Sequence, residues 1–162
     1  MNADAFRHFY DYHINQNRFI WDTYIVPLTQ EQFIQPIGYS IGSIKNHIVH
    51  LMSVDNAWFC GLRGEEPSEW LNADDFVDKK AIRDYWDKVE QKMRDYLAGL
   101  RDDMLFTKPF PAGEDENLIV WQVLIHVVNH GTDHRAQLLR ALHDVGAKTG
   151  PQDYIFYVYD HP

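Results

Sequence analysis

Two short stretches hold five of the nine histidines of the chain, and histidine is the residue type here with the most chemistry to offer. In HVVNHGTDHRAQ, His126, His130 and His134 recur every four residues. On an α-helix such residues project from one side, a turn apart. Adjacent imidazoles can then bind one cation, whereas the outer pair, about 12 Å apart along the axis, cannot. The spacing therefore leaves two ligand pairs open, His126/His130 and His130/His134.

The second stretch, NHIVHL, places His47 and His50 three residues apart. A helix packed against the first one could supply a third ligand from here, as in metal sites built between facing helices of a bundle. Three neutral histidines leave positions open on the ion, which is the arrangement of a catalytic site. Gly131 follows His130 where a zinc metalloprotease has its glutamate, so protease chemistry is not expected. The competing interpretation is a polar helix face without metal.

Other polar residues near these clusters have two interpretations each. Asp55 interrupts an apolar stripe, so it could orient a ligand histidine through a hydrogen bond or lie at the rim of the core. Gln137, one turn after His134, could hydrogen-bond in the same pocket or be a surface residue. Arg135 is expected to be solvated or paired with its helix neighbours. No role is assigned to His13.

Composition limits the class of protein. The chain has 162 residues, which predicts a single domain over 1–162. Its net charge of −9 argues against binding nucleic acid or anionic lipid. No apolar stretch reaches the roughly 18 residues of a membrane span. A single cysteine, Cys60, and a start without secretory features lead us to expect a cytoplasmic protein.

Helical periodicity dominates the chain. Apolar residues recur at three- and four-residue steps in four segments, 3–26, 40–62, 78–100 and 117–145. Ser40 is the expected N-cap of the second, and Thr29 could cap a short turn. This pattern predicts an all-α bundle of four helices. The alternative is a fold that contains β-structure, in which LFTKPF (105–110) and YIFYVY (154–159) form paired strands. The aromatic tail is expected to pack back on the bundle or on a partner.

Three blocks resemble the DinB/YfiT-like family. They are YSIGSIKNHIVHLMSVDNAW, HVVNHGTDHRAQLLRAL and GAKTGPQDYIFY, in the order in which that family has them. The resemblance implies a four-helix bundle with long crossover connections, a homodimer, and a metal-dependent enzyme. It also implies a metal held by His47, His130 and His134, with His50 and His126 as neighbours. Because this chain has more histidines than the family minimum, a shifted ligand set stays open.

The resemblance also implies a class of chemistry, since characterised relatives include thiol-dependent transferases and a mycothiol-dependent isomerase. The first hypothesis is thus an enzyme that uses a divalent ion, with a low-molecular-weight thiol as co-substrate, or a related hydrolase, acting on a small molecule. The second is a non-catalytic metal-binding bundle, and the third is a dimerisation module without metal. Zinc, nickel, iron and manganese all accept imidazole, so the metal is not identified.

Overall fold

In the described part of the chain, the regular structure consists of four long α-helices and two short ones, together with a π-helical turn (Trp21–Ile25) and two 3-10 segments (Ala73–Asp75 and Asp102–Phe106). The computed structural model describes residues 1–66 and 69–161, and within them all regular structure is helical. The α-helices are α1 (Ala3–Ile20), α2 (Gln30–Ile34), α3 (Ile44–Leu62), α4 (Lys79–Ala98), α5 (Val120–Asp144) and α6 (Tyr154–Asp160). The predicted all-α class is confirmed. The alternative with paired strands is wrong, because 154–159 lies in α6 and 105–110 begins in a 3-10 segment, Asp102–Phe106.

The four long helices form a closed square. α3 packs against α4 and α5, and α1 packs against the same two helices. α1 and α3 therefore occupy opposite corners, as do α4 and α5. The connections 21–43 and 99–119 each join two diagonally opposite helices, which makes them long crossovers. This topology brings α3 and α5, the two histidine-bearing helices, side by side.

Side-chain caps fix where the helices begin. Thr29 caps the start of α2, as the sequence indicated, and forms a capping box there with Gln32. The expected N-cap of α3 was three residues off: Ser43, not Ser40, accepts a hydrogen bond from the backbone N–H of Asn46 at 3.1 Å. Ser40 instead lies in a turn with a φ of +53°. α3 thus starts at Ile44 and has only three residues before its first histidine.

Both α4 and α1 bury polar groups beside their apolar residues. On α4 the apolar stripe consists of Ile82, Trp86, Val89, Met93 and Leu97, and next to it the buried carboxylate of Glu90 forms ion pairs with Arg18 and Arg83. On α1 the buried stripe includes two polar residues, His13 and Asn17, which are 0% and 2% exposed. Buried polar groups require partners, so a polar layer must cross the bundle at this level. None of the described helices is long and apolar enough to cross a membrane.

The chain ends in a short helix that packs back on α1. The side chain of Tyr157 on α6 is buried, and its ring lies 5.4 Å from that of His8 and 5.7 Å from that of Tyr12. The Tyr12 hydroxyl donates a hydrogen bond to the Gln152 carbonyl oxygen at 2.6 Å. The tail therefore packs on the bundle. This was one of the two predictions for it, and packing on a partner was the other.

Candidate metal centre

Three imidazoles from α3 and α5 converge on one point. His50, His130 and His134 each offer a ring nitrogen, and these three nitrogens lie within 4.8 Å of one another. The Nε2 atoms of His50 and His130 are 3.2 Å apart. The ring of His134 is centred 4.4 Å from that of His50 and 4.2 Å from that of His130. Two nitrogens that each lie about 2.0–2.1 Å from a shared ion are at most about 4.2 Å apart, so the separation of 3.2 Å between His50 and His130 is compatible with one ion.

The protonation state of the cluster suits a cation. Burial, and then the neighbouring His134, lowers the pKa of His130 to about 4. Burial is also the main cause that lowers the pKa of His50 and of His134. All three rings are therefore neutral at pH 7 and present a lone pair, the form that binds metal. In the described residues, the Nδ1 atom of His134 is buried without a hydrogen-bond partner. The residues present thus fit a divalent ion.

His47 lies one turn before His50 and is fully buried. Its Nδ1 atom is 2.9 Å from the carbonyl oxygen of Ser43. Because a carbonyl can only accept, the proton of this ring sits on Nδ1 and Nε2 carries a lone pair. This Nε2 atom is buried and has no hydrogen-bond partner among the described residues. The three histidines whose ring nitrogens converge nevertheless include His50 from α3. The resemblance implied His47 as the ligand from this helix.

His126 lies beside the centre and outside the close group. Its ring is 5.9 Å from that of His130, and it meets the edge of Trp58 at 5.0 Å. Of the two pairs that the spacing left open, the structure therefore brings together His130 and His134 with the residue from α3. Since His50 faces His130 while Trp58 faces His126, α3 and α5 run antiparallel.

A buried polar network crosses the bundle next to this centre. The guanidinium of Arg135, 0% exposed, donates from Nη1 to His13 Nδ1 at 3.0 Å and to Asn17 Oδ1 at 3.2 Å. The Nε2 atom of His13 is 3.3 Å from Asp55 Oδ1. Because arginine can only donate, His13 accepts at Nδ1 and its proton points to Asp55. A neutral imidazole thus bridges a buried cation and a buried carboxylate.

This network corrects two expectations. Arg135 is neither solvated nor satisfied by its helix neighbours alone, and His13 has a defined structural role. The polar residues that interrupt otherwise buried stripes, His13 and Asn17 on α1 and Asp55 on α3, were the features that could have revealed it. Three such interruptions on facing helices indicate a shared polar layer, since each needs a partner.

Asp55 and Gln137 contact residues other than the three histidines. Asp55 contacts His13, and the negative charge of Asp55 also acts on His130, where it opposes the lowering of the pKa. Gln137 accepts a hydrogen bond from the Ser40 hydroxyl and donates to Asp133 Oδ2 at 3.0 Å. Gln137 thereby joins the turn before α3 to α5. The roles predicted for Asp55 and Gln137 at the site stay predictions.

A cavity of about 570 Å³ opens beside His50. α3 contributes one wall and the connection to α4 contributes the other. The polar lining comes from Asn46, Ser53 and Asn72, and the apolar lining comes from Val49, Trp70, Leu71 and Ala73. A small molecule in this cavity would lie against one of the three clustered imidazoles. The volume is within the usual range of ligand pockets, about 300–1,000 Å³.

The fold and the site together define a helical bundle with a three-histidine centre between two antiparallel helices. The DinB family model matches residues 1–161, and the chain belongs to that family. It is similar to the protein DinB of Bacillus subtilis (strain 168), with 26% identity over 167 residues. That match covers 98% of this chain and 96% of the relative.

Proposed function

We propose that the chain binds a divalent metal ion through His50, His130 and His134 and acts as a metal-dependent enzyme. The convergence of their three ring nitrogens within 4.8 Å is the observation that carries this proposal. A divalent ion held by three imidazoles keeps positions open and acts as a Lewis acid that lowers the pKa of a bound thiol or water. The reaction we favour is transfer of a low-molecular-weight thiol to an electrophilic small molecule, with hydrolysis as the related alternative.

The residues of this chain contribute binding and orientation. Neutral imidazoles supply the donors at pH 7, and the cavity beside His50 supplies the space for a substrate. The amide groups of Asn46 and Asn72 can donate to polar atoms of such a molecule. The network around Arg135 keeps α1, α3 and α5 in register. A homodimer belongs to the same proposal, because the resemblance implies it.

The ligand from α3 is the point at which geometry and resemblance differ. His50 is in the close group, whereas His47 has the hydrogen-bonded Nδ1 and free Nε2 that metal-binding histidines usually show. The metal content of the protein, purified in chelator-free buffer, distinguishes His50 from His47 as the ligand from α3. We expect about one ion per chain, loss of the ion in His50→Ala and His130→Ala, and retention in His47→Ala and in the matched control His143→Ala, whose side chain is exposed at the end of α5.

Two results would contradict parts of this proposal. Retention of the ion in His50→Ala with its loss in His47→Ala would assign the α3 ligand to His47. Absence of any bound ion from the wild-type protein, also after incubation with each candidate metal, would overturn the site.

Turnover decides between an enzyme and a bundle that only binds metal. The enzyme predicts product from a thiol and an electrophile, lost on chelation and in a folded His130→Ala variant. The non-catalytic alternative predicts a lower Tm on chelation and no turnover with any thiol.

A further inference from the structure

We propose that a second pocket, next to the histidine centre, binds an organic cation with an apolar body, such as an alkyl- or arylammonium group. The pocket has a volume of about 510 Å³ and lies between the second half of α3 and the connection that precedes α5. It deepens the proposed function by naming the class of substrate. The claim that the bound cation is a substrate rests on the proposed function. The claim that the pocket binds the cation does not, because binding can be measured without metal.

Aromatic rings form the body of this pocket. Trp58, Trp70 and Phe110 line it, and the rings of Trp58 and Phe110 meet edge to face at 5.9 Å. Gly61 permits this arrangement, because a Cβ atom at position 61 would collide with the Phe110 ring and lie only 3.1 Å from its Cδ1 and Cζ atoms. Aromatic rings attract cations through the ring quadrupole, and quaternary ammonium ions are bound in this way.

Carboxylates form the rim. Glu65, Glu66, Glu114 and Asp115 line the pocket, and its described lining includes no lysine or arginine. Glu65 is neutralised by Arg63, whose Nε and Nη2 atoms lie 2.6 and 2.8 Å from its carboxylate oxygens. The other three form no ion pair with any residue of 1–66 and 69–161. An apolar pocket with three carboxylates that lack a cationic partner among the described residues favours a cation and repels an anion.

The position of the pocket connects it with the histidine centre. Trp70 lines both this pocket and the cavity beside His50. Trp58 also meets His126, whose ring is next to that of His130. His50 and Trp58 are eight residues apart on α3, or about 12 Å along the axis. A ligand whose cationic end lies in the aromatic pocket can therefore extend its other end to the histidines.

Three benzyl compounds test the preference for a cation. Benzyltrimethylammonium, benzyl alcohol and phenylacetate share the ring and differ in charge. Calorimetric titration of the metal-free protein at low salt is expected to give the tightest binding for the ammonium ion and the weakest for phenylacetate. The advantage of the ammonium ion is expected to fall as salt rises, because exposed charges are screened. Equal binding of all three compounds, or no binding of the ammonium ion at millimolar concentration, would overturn the proposal.

Paired variants locate the binding. The double variant Glu66→Gln/Glu114→Gln is expected to bind the ammonium ion about fivefold more weakly, because it loses two partly screened charges. Its affinity for benzyl alcohol is expected to be unchanged. Asp22→Asn with Glu31→Gln changes the net charge equally but lies outside the pocket lining, so no effect is expected. Trp70→Ala, at a 67% exposed position, should weaken both ligands without affecting folding.

The same titration separates this inference from the metal proposal. A His130→Ala variant is expected to bind the ammonium ion like the wild type, even though it has lost the metal site. If the Glu66→Gln and Glu114→Gln pair behaves like its control, the ammonium pocket is wrong whatever the metal content shows.

Discussion

A methyl group at position 131 has no room, because the His13 ring and the Arg135 guanidinium of the polar network lie directly against Gly131. A Cβ atom there would collide with the His13 ring, 2.8 Å from its Nδ1 atom, and lie 3.1 Å from Arg135 Nη1. His13 is held from both sides and cannot move without breaking buried hydrogen bonds. We expect Gly131→Ala to lower the free energy of unfolding by about 1–2 kcal/mol, even though alanine favours helix by about 1 kcal/mol. Urea denaturation measures this change.

Gly99→Ala is the matched control. Gly99 follows α4, its φ is −86°, and a Cβ atom there would be 3.7 Å from the nearest atom outside its own immediate neighbours, an ordinary contact. We expect a change within about 0.5 kcal/mol. A Gly131→Ala protein as stable as this control would show that the His13 ring has space to move.

At the level of single residues, the sequence predicted clusters better than partners. Helix geometry made two pairs from the four-residue spacing possible, His126/His130 and His130/His134, and the structure brings the second pair together, as the resemblance implied. The partner from α3 depends on the rotation of α3 relative to α5, which no local pattern specifies. His47 and His50 differ by only one turn, and the structure groups His50. Arg135 was missed for a similar reason, since its partner His13 lies 122 residues away.

Side-chain hydrogen bonds of Gln152 join the C-terminal tail to α5. The Gln152 side chain accepts from Arg135 Nε at 2.9 Å and donates to the Thr132 carbonyl oxygen at 3.3 Å. Gln152→Ala would leave a buried guanidinium N–H unpaired at a cost of about 1–2 kcal/mol. We therefore expect chymotrypsin to cleave the aromatic tail about five- to thirtyfold faster in this variant.

Gln91→Ala provides the control for this cleavage assay. Gln91 also makes a side-chain hydrogen bond, to Asp95 at 2.8 Å, but it lies on the exposed face of α4. Its loss should leave tail cleavage unchanged. If Gln152→Ala is cleaved no faster than this control, the aromatic contacts of Tyr157 are sufficient to hold α6.

The helices themselves were largely predictable from periodicity. α4 extends from Lys79 to Ala98, close to the predicted 78–100, because apolar residues recur at three- and four-residue steps along the whole segment. The start of α3 was predicted three residues early because both Ser40 and Ser43 are good capping residues. Only the backbone conformation, with a φ of +53° at Ser40, decides between them. The helical tail was not predicted, since an aromatic run has no clear period.

On the scale of the whole molecule, the square arrangement gives the polar layer and the histidine centre a common support. Arg135 and His134 are adjacent on α5, so a single helix carries a metal-ligand candidate on one side and the buried cation on another. The network contacts α1 and α3 from there. A shift of α1 would therefore change the spacing between α3 and α5, where the three imidazoles meet. Stability and metal affinity are expected to be coupled through this network.

The aromatic surface of α6 is the best candidate for the predicted dimer interface. Ile155, Phe156 and Tyr159 are 48%, 50% and 71% exposed and adjacent on one short helix. A twofold dimer would bury the same patch on both chains.

Light scattering is expected to give about twice the 19.1 kDa of one chain for the wild type. Phe156→Glu should give a monomer, because two buried carboxylates would face each other. Phe106→Glu, at a 71% exposed position that is not part of α6, should remain dimeric. A wild-type monomer, or a dimer that both variants retain, would exclude this surface.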